Sequence, residues 1–227
     1  MAKGLFTELE KLKGRILLLG SMVEENVRNS MKAFKAFDDD LAFQVQDKDN
    51  EIDRTEITVE EECLRILALH QPVASDLRFV VTVLKINNDL ERIGDLASKI
   101  AKKVKVLKKD SRVNLATSIT VPEQIDVMAE KTVDLLKSCL DAFVREDADL
   151  AYKVLLWDDE IDEAKHTIRR KLEEIQQQDP SQHIYLGVLL SITRSLERMA
   201  DHATNIAEDV IYMLQGRIIR HDVEELS

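Results

Sequence analysis

Residues that interrupt helices and build tight turns are scarce in this chain of 227 amino acids. It contains only 6 glycines and 3 prolines, and 4% of its residues are aromatic. Because β-rich and loop-rich folds depend on glycine and proline at their turns, this scarcity excludes most of them. Hydrophobic residues nevertheless make up 44% of the chain and charged residues 33%, which is typical of long amphipathic helices. The predicted fold class is all-α.

Cysteines and long hydrophobic runs are also few. Cys63 and Cys139 are the only cysteines, and they form no CxxC motif, so neither a disulfide framework nor a thiolate zinc site is predicted. Both are interpreted as buried apolar residues. The longest apolar run near the N-terminus covers residues 16–19, too short for a signal sequence or a membrane span. We expect a cytoplasmic protein that meets the membrane only through its partners.

Positive charge is in deficit. The chain has 32 Lys and Arg residues against 43 Asp and Glu residues, which gives a formal net charge of -11. Affinity for DNA or RNA rests on clustered Lys and Arg that neutralise phosphates. Nucleic acid is therefore not expected as a partner.

Breaks in the helical pattern fall at a few clear positions, among them Asp38–Asp40, His70–Pro72 and Asp179-Pro180. Asp179 is predicted to cap a helix whose first residue is Pro180, with Gln182 completing a capping box. The breaks predict six helices, over residues 5–36, 40–70, 73–108, 121–145, 149–177 and 180–215.

The second half of the chain repeats the first. Asp40-Leu41-Ala42-Phe43 matches Asp149-Leu150-Ala151-Tyr152 at an offset of 109, and Leu90-Glu91-Arg92 matches Leu196-Glu197-Arg198 at an offset of 106. Such a repeat predicts two tandem, related three-helix bundles. The first spans residues 1–113 and the second 114–227, joined by a polar stretch near residues 110–120.

Apolar residues in the third helix of each repeat follow an unbroken coiled-coil period, which predicts bundle packing. The two series are Val83, Ile86, Leu90, Ile93, Ala97, Ile100 and Val104, and Leu189, Ile192, Leu196, Met199, Ala203, Ile206 and Val210.

Four acidic pairs with i, i+4 spacing occur at matching places in the two repeats. Like charges at this spacing destabilise a helix by about 0.2–0.5 kcal/mol, which suggests a compensating cation. Carboxylates suit Mg²⁺, Ca²⁺, Mn²⁺ or iron. Ion pairing with Arg92, Lys99 or Arg198 is the alternative, and spacing alone slightly favours it. The pairs are Glu91 with Asp95, Glu197 with Asp201, Asp49 with Asp53, and Asp158 with Asp162.

Catalytic motifs are not found in the sequence. Glu163 and His166 form one ExxH, but a ferritin-like di-iron site needs two such pairs on facing helices. There is no GxxxxGK[ST], HExxH or GxSxG motif. Asn88 and Asn205 lie near the acidic stripes and are candidates for additional oxygen ligands, although hydrogen bonding is the favoured role. His202 follows Asp201 but points about 100° away from it. We expect a protein that is not an enzyme.

Three segments resemble the PhoU family of bacterial phosphate-uptake regulators. They are residues 70–78 (HQPVASDLR), residues 91–95 (ERIGD) and residues 201–210 (DHATNIAEDV), and the resemblance covers nearly the whole chain. The second repeat departs from the usual pattern, because Met199-Ala200 stands where many members have Ile-Gly and because it has no counterpart of the His-Gln-Pro-Val run.

The resemblance implies a cytoplasmic all-α protein that acts as a negative regulator or adaptor of the phosphate regulon. It would link the ATPase of the phosphate ABC transporter to the sensor histidine kinase, and many members are dimeric. It also implies multinuclear iron or zinc bound by the four acidic pairs, which raises metal binding above the ion-pair interpretation. The alternative function is a carboxylate-bridged metal store or metalloenzyme.

Overall fold

Helices account for nearly all of the computed structural model, which describes residues 2–110 and 121–219. No strand occurs among those residues. The predicted boundary between residues 113 and 114 lies outside the described residues. The seven α-helices are α1 (Ala2–Ala36), α2 (Asp39–His70), α3 (Ala74–Lys109), α4 (Glu123–Arg145), α5 (Ala148–Leu156), α6 (Asp158–Gln178) and α7 (His183–Gln215).

The first connection of each repeat is built in the same way. Asp38 caps α2 by accepting a hydrogen bond at 3.0 Å from the backbone amide of Leu41, and Asp147 does the same for Leu150 at 2.9 Å. The residues just before these caps, Phe37 and Glu146, both have positive φ, +50° and +55°. The duplicated sequence therefore folds into duplicated turns, as predicted.

Trp157 divides the helix predicted over residues 149–177 into α5 and α6. Its backbone amide donates to the carbonyl oxygens of both Lys153 and Val154, each at 3.2 Å, which marks a tightened last turn of α5. No glycine or proline announces this break, so the sequence pattern did not reveal it. The predicted cap at Asp179 serves a short 3-10 turn, Pro180–Gln182, by accepting from the amide of Ser181 at 3.1 Å.

The core lies along α3 and α7, the last helix of each repeat. Every residue of the two predicted apolar series is at most 1% exposed, which confirms the bundle packing. Both cysteines are buried, as predicted, and burial raises the pKa of the Cys63 thiol to about 12.

The two repeats pack against each other through α3 and α7, which run antiparallel. Arg78 donates to the carbonyl oxygen of Met213 at 3.1 Å, and Lys85 contacts the Asp209 carboxylate at 2.6 Å. Helices α1 and α4 make a second contact between the repeats, where Lys35 pairs with Asp126 at 2.7 Å. Within the described residues, no helix is long and apolar enough to cross a membrane.

Candidate functional site

The structure brings the eight predicted carboxylates together in two groups. Asp49 and Asp53 of α2 face Glu91 and Asp95 of α3, and we call these four residues the first acidic cluster. Asp158 and Asp162 of α6 face Glu197 and Asp201 of α7, which form the second acidic cluster. Each cluster therefore spans two helices of one repeat.

Gly94 allows α2 and α3 to approach closely beside the first acidic cluster. A Cβ atom at position 94 would lie 3.2 Å from Ile52 Cγ2 and 3.4 Å from Asp49 Oδ1. Asp49 is thus held against the backbone of α3, and its buried Oδ1 has no hydrogen-bond partner.

Burial and mutual repulsion make both clusters electrostatically unfavourable without a cation. Burial is the largest cause of the raised pKa of Asp49 and Glu91 in the first acidic cluster, and neighbouring carboxylates raise both further. In the second, burial followed by repulsion from Asp201 and other carboxylates raises the pKa of Asp158 to about 6. Cations that favour the charged form would stabilise such sites.

Basic side chains already contact part of each cluster; Arg92 and Lys99 are partners that the ion-pair interpretation named, whereas Lys165 is not. Arg92 lies 3.3 Å from Glu91, and Lys99 lies 3.2 Å from Asp95. In the second acidic cluster Lys165 forms ion pairs with both Asp162 and Glu197. Attraction between exposed pairs is worth about 0.2–1 kcal/mol.

The donor chemistry of the clusters fits a hard or borderline cation, because it consists of carboxylate oxygens from facing helices. Asp49 Oδ1 is buried and accepts no hydrogen bond, although the same carboxyl group is hydrogen-bonded by Ser98 and attracted by Lys102. Within residues 2–110 and 121–219, however, no three His, Cys, Asp or Glu side chains are close enough to hold one ion. Binding would therefore require the carboxylates to rotate towards one another.

Two candidates from the sequence lie elsewhere. Asn88 and Asn205 line a groove between α3 and α7, together with Asp89 and Glu208, rather than either acidic cluster. Glu163 and His166 are exposed on α6.

His202 links the two repeats, a role that the sequence did not reveal. Its Nδ1 lies 2.8 Å from Asp89 Oδ1 of α3. The prediction that His202 points away from the acidic pair of its own helix agrees with this position.

The raised pKa of Asp158 predicts that the metal-free protein loses stability as pH rises. The folded state binds this proton more tightly than the unfolded chain, whose pKa is near 3.8, so the stabilising contribution is lost as pH rises through about 6. Asp158→Asn should remove this dependence and add about 1 kcal/mol to the free energy of unfolding at neutral pH, allowing for solvent screening.

Urea unfolding between about pH 4 and pH 7.5, with a chelator present, measures this effect. The control is Glu163→Gln, which changes an exposed carboxylate of the same helix that does not contribute to the raised pKa of Asp158 and should keep the wild-type pH dependence. If Asp158→Asn also kept that dependence, the predicted role of Asp158 would be wrong.

Two tandem three-helix repeats, each with a cluster of carboxylates between its second and third helical segments, define a class of duplicated helical-bundle proteins. The PhoU domain matches residues 16–104 and 125–210. The chain belongs to the PhoU domain family.

Relatives match along most of the chain. A phosphate-specific transport system accessory protein PhoU homolog from Pseudomonas putida is 38% identical over 217 residues, which cover 94% of this chain and 82% of that protein. The Escherichia coli protein of that system, PhoU, is 33% identical and is covered to 86%.

Solved structures agree with the fold. The crystal structure of PhoU from Pseudomonas aeruginosa matches with a TM-score of 0.85 and 37% identity, covering 93% of this chain and 99% of that one. The phosphate transport system regulatory protein PhoU from Streptococcus pneumoniae matches with a TM-score of 0.84 and 28% identity, covering 94% and 98%.

Proposed function

We propose that this protein is a negative regulator of bacterial phosphate uptake and phosphate signalling. It works as a cytoplasmic, non-enzymatic adaptor that connects the phosphate transporter ATPase with the phosphate sensor histidine kinase. The observation that carries this proposal is the match over 94% of the chain to proteins named for the phosphate-specific transport system.

Deletion of the gene in its native host tests the regulatory role. In phosphate-rich medium we expect expression of phosphate-regulated genes and phosphate uptake to rise, because the repressing adaptor is absent. Re-expression of the wild-type chain should return both to the starting level. Unchanged expression and uptake in the deletion strain would remove the regulatory proposal.

Metal binding through the acidic pairs is a further part of the proposal. Facing carboxylates with raised pKa values support it, as does the unpartnered oxygen of Asp49. The family resemblance favours multinuclear iron or zinc, and the oxygen ligands also suit Mg²⁺, Mn²⁺ or Ca²⁺. When bound, the metal would neutralise the carboxylates and fix α2 relative to α3.

Elemental analysis of protein purified without chelators tests this part. Glu91→Gln combined with Asp95→Asn should lower the metal content by the share bound at the first acidic cluster, because it removes half of the carboxylates of that cluster. The control is Asp47→Asn combined with Glu51→Gln, an exposed acidic pair with the same spacing on α2. Equal metal content in both double variants would contradict metal binding at the cluster.

We also propose a homodimer. The dimer rests on the family resemblance, and sedimentation of the full chain measures it.

The alternative function is metal storage or a metalloenzyme. This function rests on the acidic clusters. It predicts oxidase or hydrolase turnover that Glu91→Gln with Asp95→Asn abolishes, whereas an adaptor has no such turnover.

A further inference from the structure

The two acidic clusters differ at one position that the repeat makes directly comparable. The offset of 109 residues places Lys165 of α6 where α2 has Glu56. Both side chains are half-buried and both lie at the edge of their cluster. The first repeat thus has a fifth carboxylate at the position where the second repeat has an ammonium group.

Glu56 is held beside the first acidic cluster by a buried amide. Asn87, which is 1% exposed, donates from Nδ2 to the carbonyl oxygen of Glu56 at 2.9 Å and to Glu56 Oε1 at 3.3 Å. Burial is the main cause of the raised pKa of Glu56, and repulsion from Glu60, Glu91 and Asp53 adds to it. Asn87 therefore fixes a further negative charge next to carboxylates that already repel one another.

Two buried oxygens at this place have no hydrogen-bond partner. They are Asp49 Oδ1 and Asn87 Oδ1. Asn87 is only 1% exposed. A buried oxygen without a partner is costly unless a donor or a cation contacts it. The basic neighbours are Arg92, Lys99 and, for Asp49, Lys102. Arg92 and Lys99 are 53% and 54% exposed and Lys102 is exposed as well, so solvent screens much of their attraction.

Lys165 occupies the corresponding place in the second acidic cluster. Its Nζ contacts Glu197 of α7 and lies 3.3 Å from Asp162 of α6, so one ammonium group connects the two helices of that cluster. Its side chain is 32% exposed, less than those of Arg92 and Lys99. A lysine ammonium is a compact point charge with three donors, which suits it to stand in for a bound cation.

We propose that Lys165 is a built-in counter-ion that keeps divalent cations out of the second acidic cluster, so that the first acidic cluster is the tight cation site of the chain. This inference rests on the metal-binding part of the proposed function. The identity of the residue at this one repeat position, Glu56 or Lys165, sets the difference between the two clusters. A cation entering the second acidic cluster must displace an ammonium group that already pairs with two of its four carboxylates.

Calorimetric titration of chelator-stripped, full-length protein with Mn²⁺ tests whether the first acidic cluster binds the cation more tightly than the second. When Lys165 is kept, Glu91→Gln with Asp95→Asn should abolish tight Mn²⁺ binding. Glu197→Gln with Asp201→Asn should leave tight Mn²⁺ binding unchanged. Lys165→Glu should add a second set of tight sites and about double the Mn²⁺ bound. Glu56→Lys should weaken Mn²⁺ binding by at least about tenfold, since it introduces the ammonium group into the first acidic cluster.

Two comparisons make the result specific to this position. The gained sites of Lys165→Glu must disappear when Glu197→Gln and Asp201→Asn are added. Lys131→Glu is the matched control, because Lys131 pairs with Glu160 outside both clusters, and it should not change the stoichiometry. Lys165→Gln removes the positive charge without adding a negative one. Mn²⁺ should raise the melting temperature of this variant by more than it raises that of the wild-type protein. This measurement replaces the titration if Lys165→Glu fails to fold.

The outcomes separate the inference from the proposed function. If substitutions in both clusters reduced wild-type Mn²⁺ binding equally, or if neither Lys165 variant gained Mn²⁺ binding, the inference would be overturned while metal binding itself stood. If wild type bound no Mn²⁺ and retained no metal on purification, the metal-binding proposal would fall, and the inference with it.

Discussion

Phe34→Ala is expected to lower the free energy of unfolding by about 3–5 kcal/mol, the usual cost of truncating a fully buried phenylalanine. Phe34 is 0% exposed in α1. Its ring lies 6.2 Å from that of Phe37 and 6.5 Å from that of Tyr185 in α7, so it joins the first repeat to the second. Urea unfolding followed by circular dichroism measures the loss.

The same truncation at an exposed phenylalanine is the control for this prediction. Phe43 on α2 is 69% exposed, and Phe43→Ala should change the free energy of unfolding by no more than about 0.5 kcal/mol. Because Phe34 contacts both repeats, the fluorescence of Trp157 in the second repeat should shift together with the dichroism signal. A Trp157 transition that stayed at its wild-type midpoint would show that the repeats unfold independently.

Gly94→Leu is expected to destabilise the protein by about 2 kcal/mol. Even a Cβ atom at this position would lie 3.2 Å from Ile52 Cγ2, so a leucine must push α2 away from α3. Overpacking costs up to about 3 kcal/mol, and the better helix propensity of leucine returns about 1 kcal/mol. Thermal and urea unfolding of metal-free protein measure the net change.

The same replacement at Gly187 should stabilise the protein instead of destabilising it. Gly187 is exposed in α7, and no atom lies within 4 Å of its added Cβ. Gly187→Leu should therefore stabilise the protein by up to about 1 kcal/mol through helix propensity alone. Stabilisation by Gly94→Leu as well would mean that the close approach of α2 to α3 does not constrain position 94.

Most of the fold could be predicted because helix period and repetition are both encoded locally. The apolar series of α3 and α7 depends only on spacing along one helix, and the duplicated turns at Asp38 and Asp147 depend on a cap and its neighbours. The break at Trp157 could not be predicted in this way. No glycine or proline marks it.

The candidate site was predictable in its members but not in its arrangement. Spacing placed Asp49 and Asp53 on one face, yet which helix they would oppose depends on the packing of α2 on α3. Glu56 and Lys165 were missed because the pair of Glu56 with Glu60 is not repeated: the second repeat has Lys165 and Arg169 at those positions. Comparison of the repeats at the offset of 109 was the signal that could have found them.

The two buried cysteines give each repeat its own chemical reporter. Cys63 lies in α2 of the first repeat and Cys139 in α4 of the second, and both are 0% exposed. Burial raises the pKa of both thiols, so a thiol reagent meets an unreactive, inaccessible sulfur until the surrounding helices open. Rates of cysteine modification in the native protein thus record the opening of each half of the molecule separately, without any introduced label.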